Sequence, residues 1–184
     1  MAGRRRISDL LVRLPRTRAA VAYAEERHAG QRRKTDGAPF IEHPLEVAWL
    51  LYRAGATDDV VAAGVLHDTI EKAGASAGEL RDRFGSHTAG LVVALSEDPE
   101  IPGYARRKAA LRDQVAAAGP EALMVFAADK ISKIRELRSV RRPAQRRLNH
   151  YRRCLELLER LLSDSPLVSE LRAEFDRVAA PIAA

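Results

Sequence analysis

Apolar positions along this chain recur three and four residues apart, the spacing of one face of a helix, and no stretch alternates as a half-buried strand would. "RTRAAVAYAEERHAG" keeps the helical spacing and stops at Gly30. "QRRKTDGAPFIEH" interrupts it with Gly and Pro and reads as a polar loop. Pro44 suits a first helical position, where no amide hydrogen is needed, and opens "PLEVAWLLYRAG". Thr57 is placed to cap the next helix, with Asp58 and Asp59 at its positive end, and that helix carries "VVAAGVLHDTIEK". Ser76 followed by Glu79 is a capping-box pattern, and "SHTAGLVVALSE" is a further short amphipathic helix. "YARRKAALRDQVAAAG" follows "DPEIPG", and Pro120, Pro143 and Pro166 each open another helix, the middle one reaching about Ser163. The expected fold is an all-α bundle, one domain over 1–184, with a core over about 17–140 and a helical extension over about 143–184. The stripe "LELLERLL" in that extension either caps the core or forms the seam of a homodimer.

Composition narrows the class. Only 5% of the 184 residues are aromatic and alanine is plentiful, which favours packed helices over a sandwich or barrel. The single cysteine, Cys154, excludes an internal disulfide framework and reads as a small buried apolar residue. "MAGRRRISDLLVRLPRTRAA" is basic but no apolar signal core follows it, and "ALMVFAA" is too short to span a bilayer. A cytoplasmic protein with no membrane partner is the expectation. The net charge of +6 attracts phosphates. Aromatics are not interleaved with the basic residues, so a nucleic-acid platform is not expected.

Three helices carry candidate chemistry. In the helix of "GVLHDTIEK", regular geometry would project Glu71 between His67 and Asp68, one turn on, making one polar corner on an apolar helix. Three such groups cost desolvation energy if unpaired, and a divalent metal is one economical reason for them. Asp129 lies at the edge of the apolar stripe in "ALMVFAADKISKIREL" and needs a partner, a metal or a cation such as Lys133 one turn on. His43 stands just before Pro44. Together, His43, His67, Asp68 and Asp129 supply a mixed nitrogen–oxygen set for one octahedral ion with open positions. His28, His87 and His150 stand alone.

The ordered motifs "HAGQRRKTDGAPFIEHP", "AAGVLHDTIE", "LRDRFG", "IPGYARRKAAL" and "AADKISKIREL", spread from about Ala22 to Arg138, resemble the HD-domain phosphohydrolases. The nearest likeness is to the hydrolase domains of the Rel/SpoT family and the small alarmone hydrolases. The resemblance implies an all-α fold and an Mn²⁺ ion, or Fe²⁺, Mg²⁺ or Zn²⁺ in its place, on His43, His67, Asp68 and Asp129. It implies a phosphorylated nucleotide as substrate, with removal of the 3′-pyrophosphate of guanosine tetra- or pentaphosphate as the reaction to try first. Arg33, Lys34, Arg106 and Lys108 carry over as base and phosphate contacts, and Glu71 as the carboxylate that positions or deprotonates the attacking water.

The chain departs from that pattern at four places. Lys72 stands where the alarmone hydrolases have the aspartate of a Glu-Asp pair, and Lys133 where they have an asparagine. Phe40 replaces a tyrosine, and Pro99 a lysine before the "IP" step. Each lysine follows a ligand carboxylate by one turn. They would repel a metal and attract an anion. Lys72 and Lys133 therefore serve catalysis or phosphate binding on another nucleotide, or they mark a degenerate site that binds a nucleotide or protein partner without hydrolysis, or they pair with Asp68, Asp129 or Glu71 and leave the site metal-free.

Overall fold

The computed structural model describes residues 13–138, 140 and 144–180. Within them the chain is helical: α1 Pro15–Arg27, α2 Glu42–Arg53, α3 Asp58–Leu66, α4 Thr69–Ala73, α5 Ala77–Leu95, α6 Tyr104–Ala118, α7 Pro120–Leu137, α8 Gln145–Leu161 and α9 Pro166–Ala179. The described residues contain no strand, and the loop before α2 holds one isolated bridge, Arg32 with Pro39. None of these helices is long and apolar enough to cross a membrane.

Two helices run through the centre of the core. Every residue from Val60 to Leu66 of α3 is buried, and α1, α2, α5 and α7 surround it. α7 is buried from Leu123 to Ser132 except for Met124, and α2, α3, α6, α8 and α9 pack on it. α3 and α2 approach closely at Gly64, where a β-carbon would lie 2.4 Å from Leu51 Cδ1 and 3.2 Å from Val47 Cγ1. Leu51 is fully buried, so its side chain would have to shift within the packed core. Gly64→Ala should therefore destabilise the fold by about 1–3 kcal/mol, read as a lower midpoint in urea with an unchanged slope.

Several local expectations need correction. α2 begins at Glu42, so Pro44 is its third residue, still inside the first turn where its missing amide hydrogen costs nothing. The Thr57 side chain makes no capping bond. The neighbouring Asp58 instead accepts the amides of Arg16 (2.9 Å) and Thr17 (2.8 Å), capping α1 from across the interface. Ser76 does cap, accepting from the Glu79 amide at 3.1 Å, but the Glu79 carboxylate pairs with Arg27 rather than closing the box. The helix expected through Lys72 breaks between Leu66 and Thr69, where Thr69 Oγ1 donates to the Leu66 carbonyl at 2.7 Å. Pro143 lies outside the described residues.

Part of the leucine stripe is buried within the chain, while Leu161 is exposed and Leu162 half-buried. Leu155, Leu157 and Leu158 on α8 are covered, as are Leu167, Leu171 and Phe175 on α9, and the two helices pack on each other and on α7. Cys154 is buried with them, and burial pushes its thiol up to about 11, which keeps it unreactive.

Candidate metal centre

The break between α3 and α4 turns His67 and Asp68 inward at the buried end of α3. His43 enters from the first turn of α2 and Asp129 from the middle of α7. All four are at most 3% exposed. His43 Nε2 lies 3.1 Å from His67 Nε2, 3.4 Å from Asp68 Oδ2 and 3.2 Å from Asp129 Oδ1. His67 Nε2 lies 3.3 Å from Asp68 Oδ2 and 3.4 Å from Asp129 Oδ1. Ligands about 2.1 Å from a common ion stand roughly 3.0–3.4 Å apart when adjacent in octahedral or tetrahedral geometry. His43, His67 and Asp129 meet the spacing of a metal-binding triad, and Asp68 approaches both imidazoles at the same range.

The tautomers suit that use. A backbone carbonyl only accepts, so the 2.8 Å contact from Gly64 O places a proton on His67 Nδ1. Ser132 gives its single hydroxyl hydrogen to Glu46 Oε2 at 2.7 Å, so at 2.9 Å it accepts from His43 Nδ1. Glu136 Oε1, 3.7 Å from the same nitrogen, is too distant for a hydrogen bond. Both Nε2 atoms therefore face the cluster, and each offers a lone pair there when its ring is neutral. Asp129 Oδ1 is buried there without a hydrogen-bond partner, and Lys133 Nζ, 3.0 Å away, lacks the angles of one. A buried carboxylate oxygen without a hydrogen bond, beside two imidazole Nε2 atoms that are free to coordinate once deprotonated, is a donor set a cation can occupy, so the residues present fit a divalent metal.

Each carboxylate also has a lysine. Lys72 Nζ is 2.6 Å from Asp68 Oδ2 and packs over the Phe40 ring at 4.6 Å. Lys130 Nζ is 2.5 Å from Asp129 Oδ2 and 4.3 Å from the Phe126 ring centre. Lys133 Nζ is 3.9 Å from Asp68 Oδ2. Burial alone would raise both aspartates, but the lysines and histidines outweigh it and hold them well below the usual carboxylate range. Burial would lower His67, but Asp68 and Asp129 outweigh it and push it up to about 9. In the metal-free protein that imidazolium stabilises the fold fully below about pH 6.5, and the contribution is lost as pH rises toward about 9. A metal must displace that proton. Mn²⁺ affinity should thus climb about tenfold per pH unit up to about 9, measurable by calorimetric titration across buffers.

A cavity of about 570 Å³ opens beside the cluster, lined by Gln31, Arg32, Arg33, Lys34, Thr35, Phe40, His43, Lys72, Lys133, Glu136 and Arg147. Six of these are cationic and one is acidic. Arg33 is held by Asp36 at 2.6 Å and Glu42 at 3.5 Å. Of the residues expected at the site, Arg33, Lys34, Lys72 and Lys133 line this cavity. Glu71 does not sit between His67 and Asp68, because the helix break rotates it away; it is exposed and accepts the Glu97 amide at 2.6 Å. Lys108 is tied to Glu97, and with Arg112, Arg146 and Arg153 lines a separate hollow of about 170 Å³. Arg106 is exposed and lines neither space. Lys130, Ser132, Glu46, Arg32 and Arg147 were not singled out from the sequence. Lys130 had a signal, its place beside Asp129 in "AADKISKIREL".

An all-helical fold that gathers a histidine, a His-Asp pair and a distant aspartate around one point is the architecture of HD domains. The chain belongs to that family: the HD domain match spans residues 20–157. Among its relatives, human guanosine-3′,5′-bis(diphosphate) 3′-pyrophosphohydrolase MESH1 is 36% identical over 121 residues, covering 64% of this chain and 67% of that protein. The Aquifex aeolicus guanosine-3′,5′-bis(diphosphate) 3′-pyrophosphohydrolase is 31% identical over 64% of this chain, but the match covers only 17% of that longer protein. A solved structure described as a metazoan ortholog of SpoT that hydrolyzes ppGpp superposes with a TM-score of 0.77 over 89% of this chain and 96% of its own, at 23% identity, a likeness of fold. A Listeria monocytogenes structure superposes at 0.68, with 28% identity over 77% of this chain and 96% of its own.

Proposed function

We propose that this protein is a metal-dependent phosphohydrolase of a phosphorylated nucleotide, and that it removes the 3′-pyrophosphate of guanosine tetra- or pentaphosphate. The observation that carries the reading is the convergence of His43 Nε2, His67 Nε2, Asp68 Oδ2 and Asp129 Oδ1 at the wall of a cavity rich in cations. The relatives named for this hydrolysis support the substrate.

In this reading the four residues hold one divalent ion, with Mn²⁺ the first to test. When bound, such an ion supplies Lewis-acid chemistry, polarising a phosphoryl oxygen and making water a stronger acid. The protein's own groups do the rest. Gly64 O and Ser132 keep the Nε2 lone pairs of His67 and His43 directed inward. Lys133 meets the charge on the transferring phosphoryl group, and Arg33 and Lys34 meet the base and the remaining phosphates, while Lys72 stays on the Asp68 carboxylate. The family pattern assigns the water proton to Glu71, which would act from the exposed rim of the site, its Oε1 anchored by the Glu97 amide. Lys108, on the carboxylate of the same Glu97, serves the outer phosphates.

A second reading has its own observation. The ammonium groups of Lys72 and Lys130, 2.6 and 2.5 Å from the ligand carboxylates, already neutralise the charges a metal would use. On that reading the cavity binds a nucleotide without hydrolysing it. Release of phosphate and pyrophosphate from a panel of 3′- and 2′-phosphorylated nucleotides, with and without Mn²⁺, separates the two. The proposal expects Mn²⁺-dependent pyrophosphate release from guanosine tetraphosphate. No release from any nucleotide, with nucleotide binding retained, would establish the second reading.

A further inference from the structure

We infer that Ser132, Glu46 and Arg135 are positioning residues for the metal centre, and that the C-terminal helix α9 acts through them to hold His43 in its ligand form. This rests on the reading of His43 as a metal ligand.

The chain of contacts is continuous and each link has a direction. His43 Nδ1 donates to Ser132 Oγ at 2.9 Å, and Ser132 Oγ donates to Glu46 Oε2 at 2.7 Å. The other Glu46 oxygen, Oε1, accepts from Arg135 Nη1 at 2.8 Å. Arg135 Nε donates to Glu174 Oε1 at 3.0 Å and its Nη2 to Glu170, both on α9. A guanidinium and a hydroxyl between carboxylates leave no freedom in these assignments. The carboxylates accept only, the guanidinium donates only, and the serine has one hydrogen to give. Reversing the His43 tautomer would turn a bare nitrogen toward Ser132 and force the hydroxyl to abandon Glu46.

The placement of charge supports a purpose. Glu174 is 3% exposed, and Ser132 is fully buried between Ile131 and Ile134 on the same helix that carries the buried Asp129 and Lys130. A core built for stability alone would fill these positions with apolar side chains, since burying an ion-pair network is at best neutral against well-packed hydrocarbon. Partners that orient a ligating imidazole and strengthen its basicity are the recurring use of such a network, and losing one typically lowers metal affinity 10–100-fold. Glu46 and Ser132 are 86 residues apart, and Arg135 and Glu174 are 39 apart, so the extension after α7 is thereby joined to the metal site.

The test is Mn²⁺ titration by calorimetry of the chelator-stripped full chain, with circular dichroism melts of each metal-free variant. Ser132→Ala should raise the Mn²⁺ Kd about 10–100-fold. Ser132→Thr, which keeps the hydroxyl, should stay within about threefold of wild type. The paired variant Glu170→Gln with Glu174→Gln keeps side-chain volume and releases Arg135. It should raise the Kd about 3–10-fold, the attenuation expected of a contact three links further out. A wild-type Kd in Ser132→Ala, or an equal loss in Ser132→Thr, would overturn the positioning role. A wild-type Kd in the paired variant would overturn the part assigned to α9. Failure of the wild-type protein to bind Mn²⁺ would instead overturn the metal centre itself, a result distinguishable from the others.

Discussion

Asp129→Asn should lower nucleotide hydrolysis by at least about 10³-fold and abolish stoichiometric Mn²⁺ binding. The amide keeps the shape of the side chain and removes the charge, and Asn is a poor ligand for an ion held by imidazoles and carboxylates. The substitution has a second consequence. Lys130 is 3% exposed and its ammonium rests on Asp129 Oδ2 at 2.5 Å, so losing the carboxylate leaves a buried cation unpaired. Breaking a buried pair from one side costs about 3–5 kcal/mol, enough to unfold a marginal domain and imitate a catalytic loss. Combining Asp129→Asn with Lys130→Gln removes both charges and should recover most of that stability while restoring neither metal nor turnover. Recovery of activity with the stability would show that Asp129 serves the fold and not the reaction. Thermal melts beside phosphate release resolve the two.

The second large effect is expected at Lys72. Its ammonium stands 2.6 Å from Asp68 Oδ2 and would lie close to any ion bound there. The side chain is 35% exposed, so water screens the repulsion well below its Coulomb value at an effective dielectric near 20. About 1–2 kcal/mol remains, which corresponds to roughly 5–30-fold in Mn²⁺ affinity. Lys72→Asp should tighten Mn²⁺ binding by about that factor and increase pyrophosphate release from guanosine tetraphosphate, because it restores the Glu-Asp pair of the alarmone hydrolases at Glu71-Lys72. Tighter metal binding with an unchanged or slower rate would show that Lys72 contacts the substrate phosphate. In that case the preferred nucleotide differs from the one the relatives hydrolyse.

The sequence made the four candidate ligands legible because His67, Asp68 and Asp129 are polar exceptions beside apolar helical runs, and the ordered motifs tied His43, at a helix entry, to them. Helical periodicity also located the elements, including the break near Gly85 that divides α5, whose φ is +86°. The local geometry at His67-Asp68 was not legible. The apolar run of α3 continues smoothly in sequence, and only the Thr69 side chain bonding back to Leu66 O reveals that the helix stops. That break moves Glu71 out of the corner where regular helix geometry puts it. Lys130 escaped for a related reason. Adjacent helical residues point about 100° apart, yet its long stem folds over Phe126 and reaches its own neighbour. The Ser132, Glu46 and Arg135 network joins residues up to 89 apart with no local pattern, so only packing shows it. Arg147 likewise reaches the cavity from α8, a helix whose sequence speaks only of its leucines.

The reading stands on whether the four side chains hold an ion in spite of the lysines beside them. The most direct measurement is the stoichiometry of Mn²⁺ on the chelator-stripped protein, followed by calorimetry or by the loss of free-ion paramagnetic resonance signal near pH 8. One ion per chain, lost in the Asp129→Asn with Lys130→Gln variant, is the predicted result. Absence of saturable binding up to millimolar Mn²⁺ in the folded wild-type protein would contradict it.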